Sequence, residues 1–486
     1  MEDFSQKFLN NKSNEASPQE EQSIEAPLVD ALEQSLINPP LQFHIPGHTK
    51  GSGLLDRFKA ILEKGALIDN TDEFNSFGTL HPATGPVKKA QELMAKALNA
   101  KNSYFLLNGS SIGNFAIALT CLKPNSKVII GRNCHRSVLT GLIMTGANPI
   151  WVNPQKHEDW SIWGEISPHS IEKELQQNPD TAMVWITSPT YEGVISDIKS
   201  IAEICNRYNV ILAVDEAHGA LWNFSDKMPQ SALQLGADIV VHSMHKTGGS
   251  FAQSSILSIS HNSKVQSEVI ENNLRLLHTT SPSVTLLTSL DAARAFLQSQ
   301  EGQQNIEKAI NFATHIKEEL KNFPNILVLT EQDGFKLDPA RVYIMIKDLC
   351  GRRIENILKT DYNIEIEAST DNGILILSNI GSKLTDVKML INAIKDIASK
   401  NYSDISYLEN YKFMPLLNPI IKMSPKEAFY KNFDRIEPAN AIGKISADLI
   451  AECPPGIFVL APGELITEDH LPYLVNYKTI KIIKED

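Results

Sequence analysis

The chain has 486 residues, 42% hydrophobic and 21% charged, with a net charge of -12. That length predicts roughly two to four domains with sizeable buried cores. The acidic balance excludes a general nucleic-acid binder, though it leaves room for a local basic pocket around an anion.

Five cysteines (Cys121, Cys134, Cys205, Cys350, Cys453) are scattered with no CxxC pair. Neither a disulfide framework nor a cysteine-based zinc site is indicated, and reduced thiols fit a cytoplasmic protein. The N-terminus lacks a basic flank followed by an apolar stretch, and no apolar run nears the roughly 18 residues of a membrane helix.

Residues 1–26 are polar and read as a tail, and Pro27 to Ile37 has helical apolar spacing suited to a short docking helix. Phe43-His44-Ile45-Pro46-Gly47-His48 follows; Pro46-Gly47 breaks the helix that would align the two histidines on a metal, so a rigid active-site loop is expected. After a loop from Asp69, an amphipathic helix begins at Gly85-Pro86. The apolar run ending at Leu107 then leads into Asn108-Gly109-Ser110-Ser111-Ile112-Gly113-Asn114, and an apolar helix follows over Phe115 to Leu122. Strand, hydroxyl-rich turn and helix is an arrangement that offers free N–H groups to a phosphate; a plain N-cap is the alternative for Ser110 or Ser111.

Further apolar strands end in polar clusters: Lys127–Ile130 before His135, Val184–Thr187 before Ser188-Pro189-Thr190-Tyr191-Glu192-Gly193, Val210–Val214 before Asp215-Glu216-Ala217-His218, and Ala237–Val241 before Ser243-Met244-His245-Lys246. Strands alternating with helices predict an α/β domain with a mostly parallel sheet, and the polar clusters fall where such sheets place their ligands. From about Phe323 alternating strands and helices predict a smaller α+β domain, with a shorter unit beyond residue 405. The expected divisions are 1–40, 41–322, 323–404 and 405–486.

A lysine among hydroxyls and glycines suits a Schiff base to pyridoxal phosphate; Asp215 at a strand end can protonate the pyridine nitrogen, and His135 can stack on the ring. Val214-Asp215-Glu216-Ala217-His218 also matches the acidic box of an ATP-dependent helicase, but no GxxxxGK[ST] loop accompanies it, and no GxGxxG occurs.

Ser243 to Ser255, with Gln253-Ser254-Ser255, resembles the cofactor-lysine signature of the ornithine/lysine/arginine decarboxylases, which have the aminotransferase-type fold (fold type I). Phe43–His48, His81-Pro82, Asn108–Ser111, Asn133–His135, Ser188–Gly193, Asp215–Gly219, Thr279–Ser283 and Pro454–Gly463 extend the resemblance over about 27–470. It implies that Lys246 carries pyridoxal phosphate and Asp215 holds the pyridinium. It places His135 on the ring, His218 beside the Schiff base, and Ser110, Ser111, Ser243 and His245 around the phosphate. Ser281 and Ser283 would reach the partner's cofactor in a homodimer, alone or as part of an oligomer of dimers.

The implied reaction decarboxylates arginine, lysine or ornithine, with Lys246 or His245 returning the proton; His44 and Glu464 are candidates for substrate contact. Another fold type I reaction (transamination or β-elimination) and a cofactor-binding pseudoenzyme are the alternatives. The chain resembles the compact form, without an N-terminal receiver-like domain. It departs from the family pattern at Thr49, Cys453 and Phe458.

Overall fold

A seven-stranded sheet carries the molecule's centre. The computed structural model describes residues 27–67, 77–157, 159–370, 372–400, 418–452 and 457–484. The expected tail, part of the loop from Asp69, Cys453 and Pro454–Gly456 lie outside them. Residues 1–40 form one unit, containing helix α1 (Pro27–Ile37), and 41–486 form another.

In chain order the strands are β1 (Asn102–Leu106), β2 (Lys127–Gly131), β3 (Asn148–Val152), β4 (Thr181–Thr187), β5 (Ile211–Asp215), β6 (Ile239–His242) and β7 (Ser255–Ile259). They lie in the order β1-β7-β6-β5-β4-β2-β3. Only β7 runs against its neighbours. Six strands therefore finish at one edge, and the register matches their ends: Thr187 pairs with Asp215, and Asp215 with Val241.

Side chains alternate between two buried layers, as a period of two requires. Ile129, Val184, Leu212 and Val240 enter one core; Val128, Met183, Ala213 and Val241 enter the other. Helices cover both faces, which explains the near-continuous apolar strands. The sequence reading missed β3 and β7, whose compositions are diluted by Asn148 and Pro149 and by Ser255 and Ser258.

A second sheet contains β8 (Ile326–Val328), β9 (Arg341–Ile346), β10 (Ala368–Ser369) and β11 (Gly373–Leu377), all antiparallel in the order β8-β9-β11-β10. Helices Gly351–Tyr362 and Leu384–Ser399 pack on it where their apolar periodicity predicts. The strand expected over Ile364–Glu367 is divided. Ile364–Ile366 leaves this sheet to pair in parallel with Leu41–Phe43, drawing the segment before His44 onto the smaller domain.

A buried ion pair joins the C-terminal segment to the large sheet, beside Phe458 and Ala461 in the same core. Arg132, directly after β2, is 1% exposed and Glu464 is 2% exposed. The guanidinium donates to both carboxylate oxygens, at 2.5 and 2.9 Å, and packs against the rings of Trp151 and Phe458, which also meet each other edge to face. Glu464→Ala leaves that charge buried without a partner and is expected to cost about 3–5 kcal/mol, read as a lower urea midpoint. Replacing both residues with apolar side chains of similar volume should recover most of the loss.

Candidate active site

The common strand edge opens into a cavity of about 360 Å³, and Asp215, Lys246, His218, His135, His245, Ser110, Ser111 and Ser243 all line it. Helix α2 (Gly109–Cys121) starts directly after β1, with Asn108 at its N-cap. Ser110 and Ser111 therefore occupy the first turn, whose N–H groups have no partner within a helix. The N-cap position belongs to Asn108, so neither serine is the N-cap that was the alternative reading. Ser243 Oγ donates to Ser110 Oγ at 3.0 Å, joining the hydroxyls from the two strand ends.

Asp215 is 3% exposed. Its Oδ1 accepts from the Ala217 amide at 3.1 Å and its Oδ2 from Asn114 Nδ2 at 2.9 Å. Asn114 also donates to Ser137 Oγ at 2.8 Å, and that hydroxyl lies 2.8 Å from His135 Nδ1. One amide thus orients the carboxylate and, through Ser137, the imidazole. His135 Nδ1 accepts from the Ser137 amide and caps helix α3 (Arg136–Thr145); burial lowers its pKa, keeping the ring neutral at physiological pH. The sequence reading placed Asn114 at the end of the turn and gave it no role; the helix begins earlier, at Gly109, and buries that amide within it.

The lysine turn is held from several sides. His245 donates its backbone N–H and, through Nδ1–H, a ring hydrogen to Ser254 O, at 3.2 and 2.8 Å. Burial takes its pKa to about 4, so Nε2 keeps its lone pair. The Gly47 amide donates to His245 O, and a Cβ on Gly47 would stand 2.7 Å from Thr247 O. The Pro-Gly loop needs glycine to lie against the lysine turn.

Lys246 Nζ is 2.9 Å from His218 Nε2. Burial lowers the Lys246 pKa to about 8, opposed by the charges of Asp215 and Glu367. Burial likewise holds His218 well below its ordinary value, with Lys246 and Arg341 adding to the effect.

Two further groups were not singled out by sequence. Glu192 lines the cavity, and burial raises its pKa. Arg341, at the start of β9, reaches His218 from the smaller domain; only its place before an apolar run marked it. The remaining candidates lie elsewhere. His44 binds Ile45 O and Glu365. Ser283 caps the following helix, and Ser281 is 3.1 Å from Thr279 Oγ1; neither lines this cavity. Glu464 is a correction: expected to be available to substrate, it is buried with both oxygens committed to Arg132. Phe458 and Thr49 are likewise buried outside the cavity lining.

A second cavity of about 450 Å³, beside His81, Tyr104 and Arg275, contains none of this machinery.

Residues 26–348 match the Orn/Lys/Arg decarboxylase major domain, and 408–482 match the C-terminal domain of the same proteins. The chain belongs to the Orn/Lys/Arg decarboxylase family. It is 34% identical to the arginine decarboxylase of Bacillus subtilis (strain 168) over 458 residues, 93% of each protein. Identity to the inducible lysine decarboxylase of Escherichia coli (strain K12) is 23%, covering 96% of this chain and 78% of that one. The crystal structure of the Francisella novicida lysine decarboxylase LdcF superposes with a TM-score of 0.74 at 21% identity, over 94% of this chain and 81% of the other. The fold is that of fold type I pyridoxal phosphate enzymes. Family and fold together imply that cofactor, and the enzyme is a carboxy-lyase.

The cavity wall fits such a group. Hydroxyls and a helix N-terminus gather at one part of the wall, with a carboxylate and an amine elsewhere on it. Thr187 Oγ1 and Asn133 Oδ1, both in the lining, have no hydrogen-bond partner within the protein. No group of His, Cys, Asp and Glu suited to a metal ion occurs among the described residues.

The Lys246 pKa makes a pH prediction. Below about 8 its amine is mostly protonated and unreactive; above it the lone pair is free. In cofactor-free protein, competitive acetylation of Lys246 followed by mass spectrometry should show a midpoint near pH 8, against about 10.4 for exposed lysines.

Proposed function

We propose that this enzyme decarboxylates arginine to agmatine, using pyridoxal phosphate on Lys246. The single observation that carries the cofactor assignment is the convergence of Lys246, Asp215 and the Ser110–Ser111–Ser243 cluster on one cavity. Support for arginine comes from the arginine decarboxylases of three Bacillus species, which are 33–34% identical over 90–95% of the chain.

The cofactor supplies an electron sink for the pair of electrons left on Cα when carbon dioxide departs. The protein's own groups do the rest. Asp215, fixed by Asn114 and the Ala217 amide, would hold the proton on the pyridine nitrogen. Ser110, Ser111, Ser243 and the first turn of α2 would hold the phosphate, with His245 beside them. His135 would face the ring. Lys246, which burial makes easier to deprotonate than an exposed lysine when the cofactor is absent, would attach it, and Lys246 or His245 would return a proton to Cα.

A basic side chain also needs an anion at its far end. Among the described residues, the acidic side chains lining the cavity are Asp215 and Glu192. Asp215 is already engaged, so Glu192 is assigned to the guanidinium. A buried carboxyl whose pKa burial raises is drawn to its charged form when a cation enters.

Incubation with pyridoxal phosphate and arginine, lysine or ornithine in turn should yield agmatine from the first and little cadaverine or putrescine from the others. A keto acid instead of an amine would identify a transaminase. Lys246→Ala should abolish both the cofactor's absorbance near the visible edge and carbon dioxide release; surviving release would overturn the lysine assignment. Glu192→Gln, losing one charged hydrogen bond, should lower kcat/KM for arginine by about 10–100-fold, chiefly through KM.

A further inference from the structure

The contact between Lys246 and His218 has a direction, and Arg341 sets it. A guanidinium has no acceptor, so every hydrogen bond it makes is one it donates. Arg341 Nη2 lies 3.0 Å from His218 Nδ1 and 3.3 Å from His218 O. Nδ1 must therefore present its lone pair. With burial keeping the imidazole neutral, its one hydrogen belongs on Nε2. Nε2 lies 2.9 Å from Lys246 Nζ, where an N–H can be received only by an amine with a free lone pair.

Arg341 is itself held firmly. It is buried, its Nη1 donates to Tyr191 O, and its Nε is 3.7 Å from Asp338 Oδ2. Asp338 accepts from Trp222 Nε1 at 3.1 Å and from the Ala340 amide at 2.9 Å, and its own amide donates to Gly193 O at 2.9 Å. Gly193 has φ +100, and a Cβ there would stand 2.6 Å from Arg341 Cδ. The glycine closing the Ser188–Gly193 motif thus gives the arginine its passage.

We propose that Arg341 is a positioning residue: by donating to His218 Nδ1 it fixes the tautomer whose Nε2–H points at Lys246, and so favours the uncharged, nucleophilic form of that amine over the ammonium before the cofactor attaches. The proposal rests on Lys246 being the cofactor lysine and adds a residue of the smaller domain to its control. The other charged or titratable groups facing Nζ or His218 are Asp215 at the end of β5, Glu367 between β9 and β11 in the chain, the imidazoles of His135 and His245, and Tyr191, whose ring meets His218 edge to face. The two carboxylates favour the ammonium and oppose Arg341.

The test uses cofactor-free protein and reads the Lys246 proton rather than turnover. In Arg341→Met, His218 is free to accept from an ammonium and a nearby cation is lost; both changes favour the charged lysine. The acetylation midpoint should rise by about one pH unit, cutting labelling at pH 8 about fivefold. On a His218→Ala background the same arginine change should move the midpoint less than half as far. An unchanged midpoint in Arg341→Met, or an equal shift in both backgrounds, would overturn the relay.

A wild-type measurement covers the case in which the variant does not fold. With 15N-histidine labelling, His218 should show an unprotonated Nδ1 and a protonated Nε2; the opposite tautomer refutes the proposal. Pyridoxal phosphate titration of wild type, followed by absorbance, separates this from failure of the functional reading. If Lys246 never takes the cofactor, that reading fails whatever the tautomer proves to be.

Discussion

An amine has been placed against an imidazole instead of a carboxylate, and much of the site is arranged around that choice. A lysine removed from water prefers to lose its proton unless an anion touches it. Asp215 and Glu367 act on Lys246 through their fields, while its direct polar contact is His218. Asp215 is restrained by Asn114 and the Ala217 amide, and Glu367 by Tyr191 Oη and the Ile45 amide. Each carboxylate that could have formed a salt bridge with the lysine is occupied by neutral donors.

Parallel register makes this arrangement possible. Because Thr187, Asp215 and Val241 are aligned across three neighbouring strands, the turns that follow all emerge at one edge. Turns far apart in sequence thereby become one wall, and α2 brings its first-turn N–H groups to the same place. The smaller sheet completes the arrangement through Arg341, and the loop around Gly47 packs against the lysine turn from a third direction.

Much of this was legible because strand ends carry their chemistry in adjacent residues. Asp215, His135, Ser110, Ser243 and Lys246 each follow an apolar run, so sequence neighbours announce both the strand and the site. Asn114 and Arg341 were not legible, since their meaning depends on partners 101 and 123 residues away. Glu464 misled for the same reason: a Pro-Gly turn suggests exposure, and nothing local indicates an arginine 332 residues earlier. The strand expected over Ile364–Glu367 was real in part, but periodicity cannot say which sheet a strand joins.

That last separation bears on how the protein is made. Arg132, directly after a strand of the central sheet, leaves the ribosome 332 residues before Glu464. Synthesis proceeds at about 5–20 residues per second, so tens of seconds pass before the guanidinium can meet its carboxylate. During that interval the edge of the sheet near β2 and β3 must keep a cation that its finished structure excludes from water. The large domain therefore reaches its final packing around Arg132 only after the segment bearing Glu464 has been made.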